Sequence, residues 1–321
     1  MKGMGRKMGM RLLVLGLLLF FVPVLTFAQD YPTKSVTITT TFGPGTPIDL
    51  VNRVLASKVE KMLGQPFIIN NNPTGAGMVA VTQVAKENPD GYHLLFATTT
   101  TLLWVPQFRK VNVKYEDFVP IMQFGTPAVG LVVRADAPYK TLKELVEYAK
   151  KNPGKISYGA TGKSTPKQVV MEAIAKKEGI EWTFIPYDAD NLSLAALLGG
   201  HIDVCSASPV WISHVQQGRL RLLATYGEKR MKAFPDVPTV KELGYNFMDP
   251  AVYLLVGPKG IPPLIVKKLD ETFHKAMDDP EFKKVMSESN YEIVYRGSSD
   301  LKVFMEKLYK EIGEMKADLK L

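Results

Sequence analysis

Residues 36–49 read Val36-Thr37-Ile38-Thr39-Thr40-Thr41-Phe42-Gly43-Pro44-Gly45-Thr46-Pro47-Ile48-Asp49. The β-branched first half predicts a strand over Val36 to Phe42. The Gly/Pro-rich second half cannot continue it and predicts a loop. Beyond the loop, Val51, Val54, Leu55, Val59 and Met62 recur at helical spacing, and Gly64 stops that helix. A strand that turns into a helix is the opening unit of an α/β fold. The unit then repeats. Phe67-Ile68-Ile69 reads as a strand, Met78 to Lys86 as a helix closed by Asn88-Pro89-Asp90-Gly91, and Leu94 to Ala97 as a third strand. This order predicts a parallel sheet with helices on both faces.

The pattern restarts after Pro127. Gly130 to Val133 predicts a strand. Thr141 and Glu144 form a capping box for a helix buried through Leu142, Leu145, Val146 and Ala149. Ile156 to Tyr158, Phe184 to Pro186, Val204 to Ser206 and Leu220 to Tyr226 read as further strands, and Pro166 to Lys177 as a helix. After Gly227 come a proline-rich stretch, a strand at Tyr253 to Val256, and helices at Ile265 to Met277 and Glu281 to Glu288. A last helix is expected to bury Leu301, Phe304, Leu308, Ile312 and Met315. The expected fold is therefore α/β with two lobes, each a doubly wound sheet flanked by helices. Residues 29–127 and 227–321 make one lobe, and 128–226 the other. Two crossings form a hinge, and the groove between lobes is a natural ligand site.

The first residues read as an export signal. Lys2, Arg6, Lys7 and Arg11 precede an uncharged apolar run from Leu12 to Leu25, and Thr26-Phe27-Ala28 supplies small residues at the −3 and −1 positions of a cut. Cleavage near Ala28 puts the mature chain outside the inner membrane. The formal charge of +8 then falls to +4, because 4 of the 40 Lys+Arg leave with the leader while all 32 Asp+Glu remain. These charges are interspersed, without basic runs or aromatic interleaving, so nucleic-acid binding is not expected. The single cysteine, Cys205, excludes an internal disulfide and reads as a small apolar core residue.

Three loops that follow predicted strands are candidate ligand sites, because ligands of open α/β sheets sit at strand carboxyl ends. Phe42, Gly43, Gly45, Thr46, Pro47 and Ile48 make the first. Its glycines admit a ligand close to the backbone, and the next helix points its N-terminus into the same space. Asp49 reads as a helix cap rather than a ligand contact. Thr98, Thr99 and Thr100, with Thr101, offer hydroxyls in the second. The third, with Thr161, Gly162, Ser164 and Thr165, mirrors the first from the other lobe. Asp188 and Asp190 follow a strand end, where they could read a ligand amine or form a solvated turn. Ser206 is a further cleft candidate.

Other chemistries find little support. Gly162-Lys163-Ser164 suggests a phosphate loop, but the required earlier glycine is Ser157. Gly75-Ala76-Gly77 is too short for a dinucleotide fingerprint. The histidines His93, His201, His214 and His274 have no metal-ligand spacing, and no Gly-x-Ser-x-Gly elbow occurs. No catalytic residue, cofactor or metal is expected. An exported hydrolase using the cleft, and a co-receptor presenting its ligand to a membrane sensor, stand as alternatives.

The chain resembles the substrate-binding receptors of tripartite tricarboxylate transporters, also called Bug-type proteins. The resemblance rests on Tyr31-Pro32-Thr33-Lys34, Phe42-Gly43-Pro44-Gly45 with Asp49, Leu63-Gly64-Gln65-Pro66, Gly75-Ala76-Gly77 and Pro89-Asp90-Gly91-Tyr92. It continues through Tyr158-Gly159, Pro186-Tyr187, Leu198-Gly199-Gly200, Asp203, Phe234 to Thr239 and Gly257-Pro258. It implies a monomeric periplasmic binding protein of the type II kind that closes on a small organic carboxylate. Loop amides and hydroxyls from Phe42 through Ile48, Thr98 to Thr101 and Thr161 to Thr165 would hold that group. The implied partner is a two-subunit membrane permease. Thr46 and Ser164 replace glycines usual in the family, Gln168 replaces a common His and Asp188 a frequent Lys. The substrate therefore stays open among dicarboxylates, tricarboxylates, amino acids and aromatic acids.

Overall fold

The computed structural model describes residues 31–163, 165–245 and 251–319; the leader expected over 1–28 lies outside them. The chain opens with β1 (Val36–Thr40), α1 (Pro47–Leu63), β2 (Phe67–Asn71), α2 (Met78–Val84) and β3 (His93–Thr98). A π-helical turn, Thr100–Trp104, runs into the short α3 (Val105–Phe108), and β4 (Phe118–Pro127) follows. The middle of the chain holds β5 (Gly130–Arg134), α4 (Leu142–Lys151), β6 (Ser157–Thr161), α5 (Pro166–Glu178) and β7 (Thr183–Tyr187). It continues with α6 (Asp190–Leu198), β8 (Val204–Ala207), α7 (Ile212–Gln216) and β9 (Leu220–Thr225). The last part is β10 (Tyr253–Pro258), α8 (Pro263–Ala276), α9 (Pro280–Glu288), β11 (Tyr291–Glu292), β12 (Arg296–Gly297) and α10 (Ser298–Leu319).

The strands form two sheets. The first has the order β11-β4-β10-β3-β1-β2 with β12 added on β4, and the second the order β7-β6-β8-β5-β9. The α/β, two-lobed, helix-flanked architecture expected from the sequence is thus found. The expectation of a parallel sheet needs correction. β1 pairs in parallel with β2 and β3, but β10 is antiparallel to both β3 and β4. β6 pairs in parallel with β7 and β8, but β5 is antiparallel to β8 and β9.

The crossings explain this mixture. β4 leaves the first sheet at its carboxyl end and becomes β5 after two residues. A strand fed directly from one sheet to the next enters from the edge where its neighbours' carboxyl ends lie, so it runs against them. β9 leaves the second sheet in the same way, and β10 runs back antiparallel. The carboxyl ends of β1, β3, β6, β7 and β8 therefore lie at the crossing end of their own sheets.

Local chemistry sets the helix boundaries. Thr141 Oγ1 accepts the Glu144 amide at 3.1 Å, and Glu144 Oε2 accepts the Lys140 amide at 2.7 Å. Gly64 ends α1 in the left-handed region, at φ +72, where glycine carries no Cβ penalty. In the first lobe, Phe96, Phe124, Phe273 and Leu55 pack one sheet face against α1, α8 and α9. Trp104, Leu254, Leu301 and Leu308 fill the other face under α2 and α10. In the second lobe, Tyr158, Val170 and Leu145 pack under α4 and α5, and Trp211, Leu197 and Cys205 under α6 and α7. Helix α5 also reaches the other lobe. Val169 is buried in the Leu301–Leu308 cluster, and Lys176 Nζ donates to the Asp318 carbonyl. No helix of the described residues is long and apolar enough to cross a membrane.

Candidate functional site at the strand ends

Two helices begin alike at the crossing end of their sheets. α1 opens Thr46-Pro47-Ile48 and α5 opens Thr165-Pro166-Lys167. In each, proline occupies the first helical position, where its missing N–H costs nothing. In each, the threonine is extended and its hydroxyl donates back into the loop: Thr46 to the Gly43 carbonyl at 2.8 Å, Thr165 to the Thr161 carbonyl at 2.9 Å. The next amides, of Ile48 and Lys167, are first-turn N–H groups with no carbonyl inside the helix to meet. Neither donates to another described residue.

The first loop is held from below by Asp49. This residue is 1% exposed. Its Oδ2 accepts the Gly45 amide at 2.9 Å and Arg53 Nε at 3.0 Å, and its Oδ1 accepts Asn71 Nδ2 at 2.7 Å. Asn71 Nδ2 also donates to the Phe42 carbonyl at 3.0 Å. Burial pushes the Asp49 carboxyl up, but the bonds from Asn71, Gly45 and Arg53 outweigh it and leave the pKa below its ordinary value. Asp49 thus organises the loop from inside the first turn, but the helix cap expected of it is Thr46, whose Oγ1 accepts the Asp49 amide at 3.4 Å. Gly45 stands at φ +75, open to solvent on its Cβ side. Its amide is spent on Asp49. Gly43 donates to no described residue. Phe42 is half-buried and meets Tyr253 edge-on at 6.0 Å between centroids, Pro47 is exposed, and Ile48 is buried.

The threonine run is mostly internal. Thr98 Oγ1 accepts the Thr101 amide at 3.2 Å and contacts Thr101 Oγ1 at the same distance. Thr99 is fully buried, and its Oγ1 accepts the Val252 amide at 3.1 Å. Thr100 alone of the four is partly exposed.

In the second lobe the third loop surrounds a charge pair. Lys167 Nζ donates to Asp190 Oδ1 at 2.8 Å and Oδ2 at 2.6 Å. The side chains are 13% and 16% exposed. Thr161 Oγ1 also donates to Asp190 Oδ1, and the Ser208 amide reaches Oδ2 at 3.2 Å. Burial raises the Asp190 pKa, but the Lys167 charge and these hydrogen bonds bring it below the ordinary value. Gly162, at φ +70, donates its amide to the Tyr187 carbonyl at 2.9 Å and holds the loop against β7. Ser164 lies outside the described residues. Asp188 is exposed and bonds to no described residue. Of the two acids weighed from sequence, the one wired into the loop is Asp190. Ser206 is fully buried. Its hydroxyl meets the Lys167 carbonyl at 3.2 Å and the Tyr226 hydroxyl at 2.9 Å, so it anchors the start of α5 from beneath. A hydrolase acting through Ser206 would need that oxygen at the surface. Cys205 is fully buried, and burial pushes its thiol up to about 12.

Sequence reasoning missed Arg53, Asn71 and Lys167. Arg53 is one turn after Asp49 on α1, a spacing that signals an ion pair. Asn71 and Lys167 carry no such local signal. Among the described residues, no group of three or more His, Cys, Asp or Glu is placed to hold a metal ion.

Known proteins resemble this chain in sequence and in fold. Residues 51–321 match the family model described as the tripartite tricarboxylate transporter family receptor. The chain belongs to that family. A relative in Cupriavidus necator, named "UPF0065 protein in gbd 5'region", is 37% identical over 90% of this chain and 89% of its own length. Protein BugT of Bordetella pertussis is 29% identical over 78% of each. The crystal structure of a TctC solute binding protein from Polaromonas superposes with a TM-score of 0.82 at 26% identity, covering 90% of this chain and 99% of that one. MatC from Rhodopseudomonas palustris, solved with bound malate, gives 0.68 at 26% identity over 90% and 99% of the two chains. The receptor family is one of periplasmic solute-binding proteins, not of enzymes.

Proposed function

We propose that this receptor works in the periplasm, binds a small carboxylate-bearing molecule between its lobes, and delivers it to a two-subunit permease. The observation that carries this reading is the matched pair of Thr-Pro helix starts. Each sits at the crossing end of its sheet, and each leaves an amide of Ile48 or Lys167 without a partner among the described residues. A helix N-terminus favours negative charge, and unspent N–H groups there suit carboxylate oxygens. The malate bound by MatC supports the same ligand class.

In this reading the lobes are 29–127 with 227–321, and 128–226. Phe42, Gly43, Thr46, Pro47 and Ile48 line one wall of the cleft, with Gly45 shaping the turn. Thr100, Thr161, Gly162, Ser164, Thr165 and Asp188 contribute from the rest, while Thr98, Thr99 and Ser206 act from behind. The leader is removed near Ala28, and the mature receptor is a monomer.

Isothermal titration of the mature protein against malate, succinate, citrate, aspartate and benzoate tests the ligand class. At least one should bind with a Kd of about 1 μM or tighter, roughly −8 kcal/mol. Absence of heat from all five refutes a carboxylate receptor of this range. Small-angle scattering with the binding acid should show a smaller radius of gyration, and an unchanged value refutes closure. Co-purification of a permease with tagged receptor from solubilised membranes tests the partner.

A further inference from the structure

A cavity of about 380 Å³ opens at the hinge, and none of the strand-end residues described above lines it. Both crossings form its wall: Thr126 to Val129 on the way out, Thr225 and Gly227 on the way back. The remaining wall comes from α7, from α9 with the β11 segment, and from the stretch after β9. The volume falls within the range of small-molecule pockets, about 300–1,000 Å³.

Its chemistry is two-sided. Val129, Ile212 and Met286, all buried, make an apolar floor. Lys229, Lys232 and Lys283 stand exposed at the rim, against one lining acid, Glu292. Lys283 has a partner in Asp278 at 3.2 Å, but Lys229 and Lys232 form no ion pair with a described residue.

We propose that this hinge cavity is a second small-molecule site, built for an amphipathic organic anion. Its apolar body would lie on Val129, Ile212 and Met286, and its anionic head between Lys229 and Lys232. A neutral apolar molecule would leave two lysines unused, and a compact inorganic anion would leave the floor unfilled. The same crossings join the lobes. An occupant that fits one lobe angle better than another therefore biases that angle, and by reciprocity is itself affected by the cleft ligand.

The test uses the whole mature receptor and the fluorescent anion 8-anilinonaphthalene-1-sulfonate as probe. One saturable site is expected, weakened by added sodium chloride because the rim charges are exposed. The double variant Lys229→Glu/Lys232→Glu should weaken binding about tenfold or more, the equivalent of one or two charge contacts. Ser287→Trp places a large ring at an exposed lining position of α9 and should abolish binding. Ala233→Trp is a second blocker on the other rim. Circular dichroism and melting must match the parent for each. Absence of a saturable signal, or an affinity untouched by the charge and blocking variants, overturns the proposal. Loss of probe signal only on replacing cleft residues would also overturn it, by placing the probe in the cleft. None of these outcomes bears on whether a carboxylate binds between the lobes.

Discussion

The starts of α1 and α5 share a Thr-Pro opening and differ in everything beneath it. Under α1 lies a carboxylate, Asp49, whose bonds go to Gly45, Arg53 and Asn71. It fixes a glycine turn and presents backbone. Under α5 lies a cation, Lys167, neutralised by Asp190. That start presents side-chain charge already paired. Both acids reach a distant segment, Asp49 through Asn71 of β2 and Asp190 through Lys167 of α5. The difference lies in the cation: the Arg53 side chain is 47% exposed, that of Lys167 only 13%. Loss of Asp49 should therefore be tolerated better than loss of Asp190.

The largest expected effect is at Asp190. Asp190→Ala strands Lys167 in a mostly buried site and should cost about 3–5 kcal/mol in urea unfolding. Adding Lys167→Met should recover much of that loss. If Asp190→Ala alone is neutral, the pair does not hold the second lobe's loop. At Asp49 the loss should be smaller, about 1–3 kcal/mol, because the freed donors sit nearer water and can rehydrate. Equal losses at the two acids would erase the contrast.

Acid titration probes both lobes together. Asp49 and Asp190 have folded pKa values below their ordinary 3.8. A depressed carboxyl contributes stability that is complete above the unfolded value and disappears as pH falls through the folded one. The melting temperature should therefore fall steeply below about pH 4, and Asp190→Asn and Asp49→Asn should each flatten that limb. An acid limb as steep as the parent's in both variants contradicts the linkage.

Two smaller effects refine the picture. Gly45→Ala meets no atom within 4 Å, so only its φ of +75 opposes the change. The cost should be about 1–2 kcal/mol in stability, with weaker carboxylate binding in the same titration. Thr46→Ala removes a cap and should cost about 1 kcal/mol. Thr165→Ala should cost less, because Thr165 caps no amide. Equal values would mean that the cap bond, long at 3.4 Å, contributes little.

Much of the fold was legible because its signals are short-range. The strand over 36–40, the glycine that ends α1, and the Thr141 cap all follow from neighbours within a turn. Strand β4 was not foreseen, because Pro120 and Gly125 interrupt its pattern. It tolerates Pro120 where β11 and β12 pair only with later residues. Helix α6 was missed because Asp190, Asn191 and Ser193 read as turn formers. The antiparallel returns of β5 and β10 were invisible in β-α-β order. At the site, sequence flagged the glycine and threonine loops. Which hydroxyls face inward, as Thr99 and Ser206 do, it did not reveal.

Side-chain pattern and turn chemistry act over a few residues, and they were enough to specify the α/β class, the two-lobe plan and the positions of the strand-end loops. Pairing between distant segments set the rest: the mixed sheets, the Lys167–Asp190 bridge across 23 residues of chain, and a hinge cavity walled by both crossings. Such contacts leave no periodicity behind. They exist only once the chain has folded back on itself.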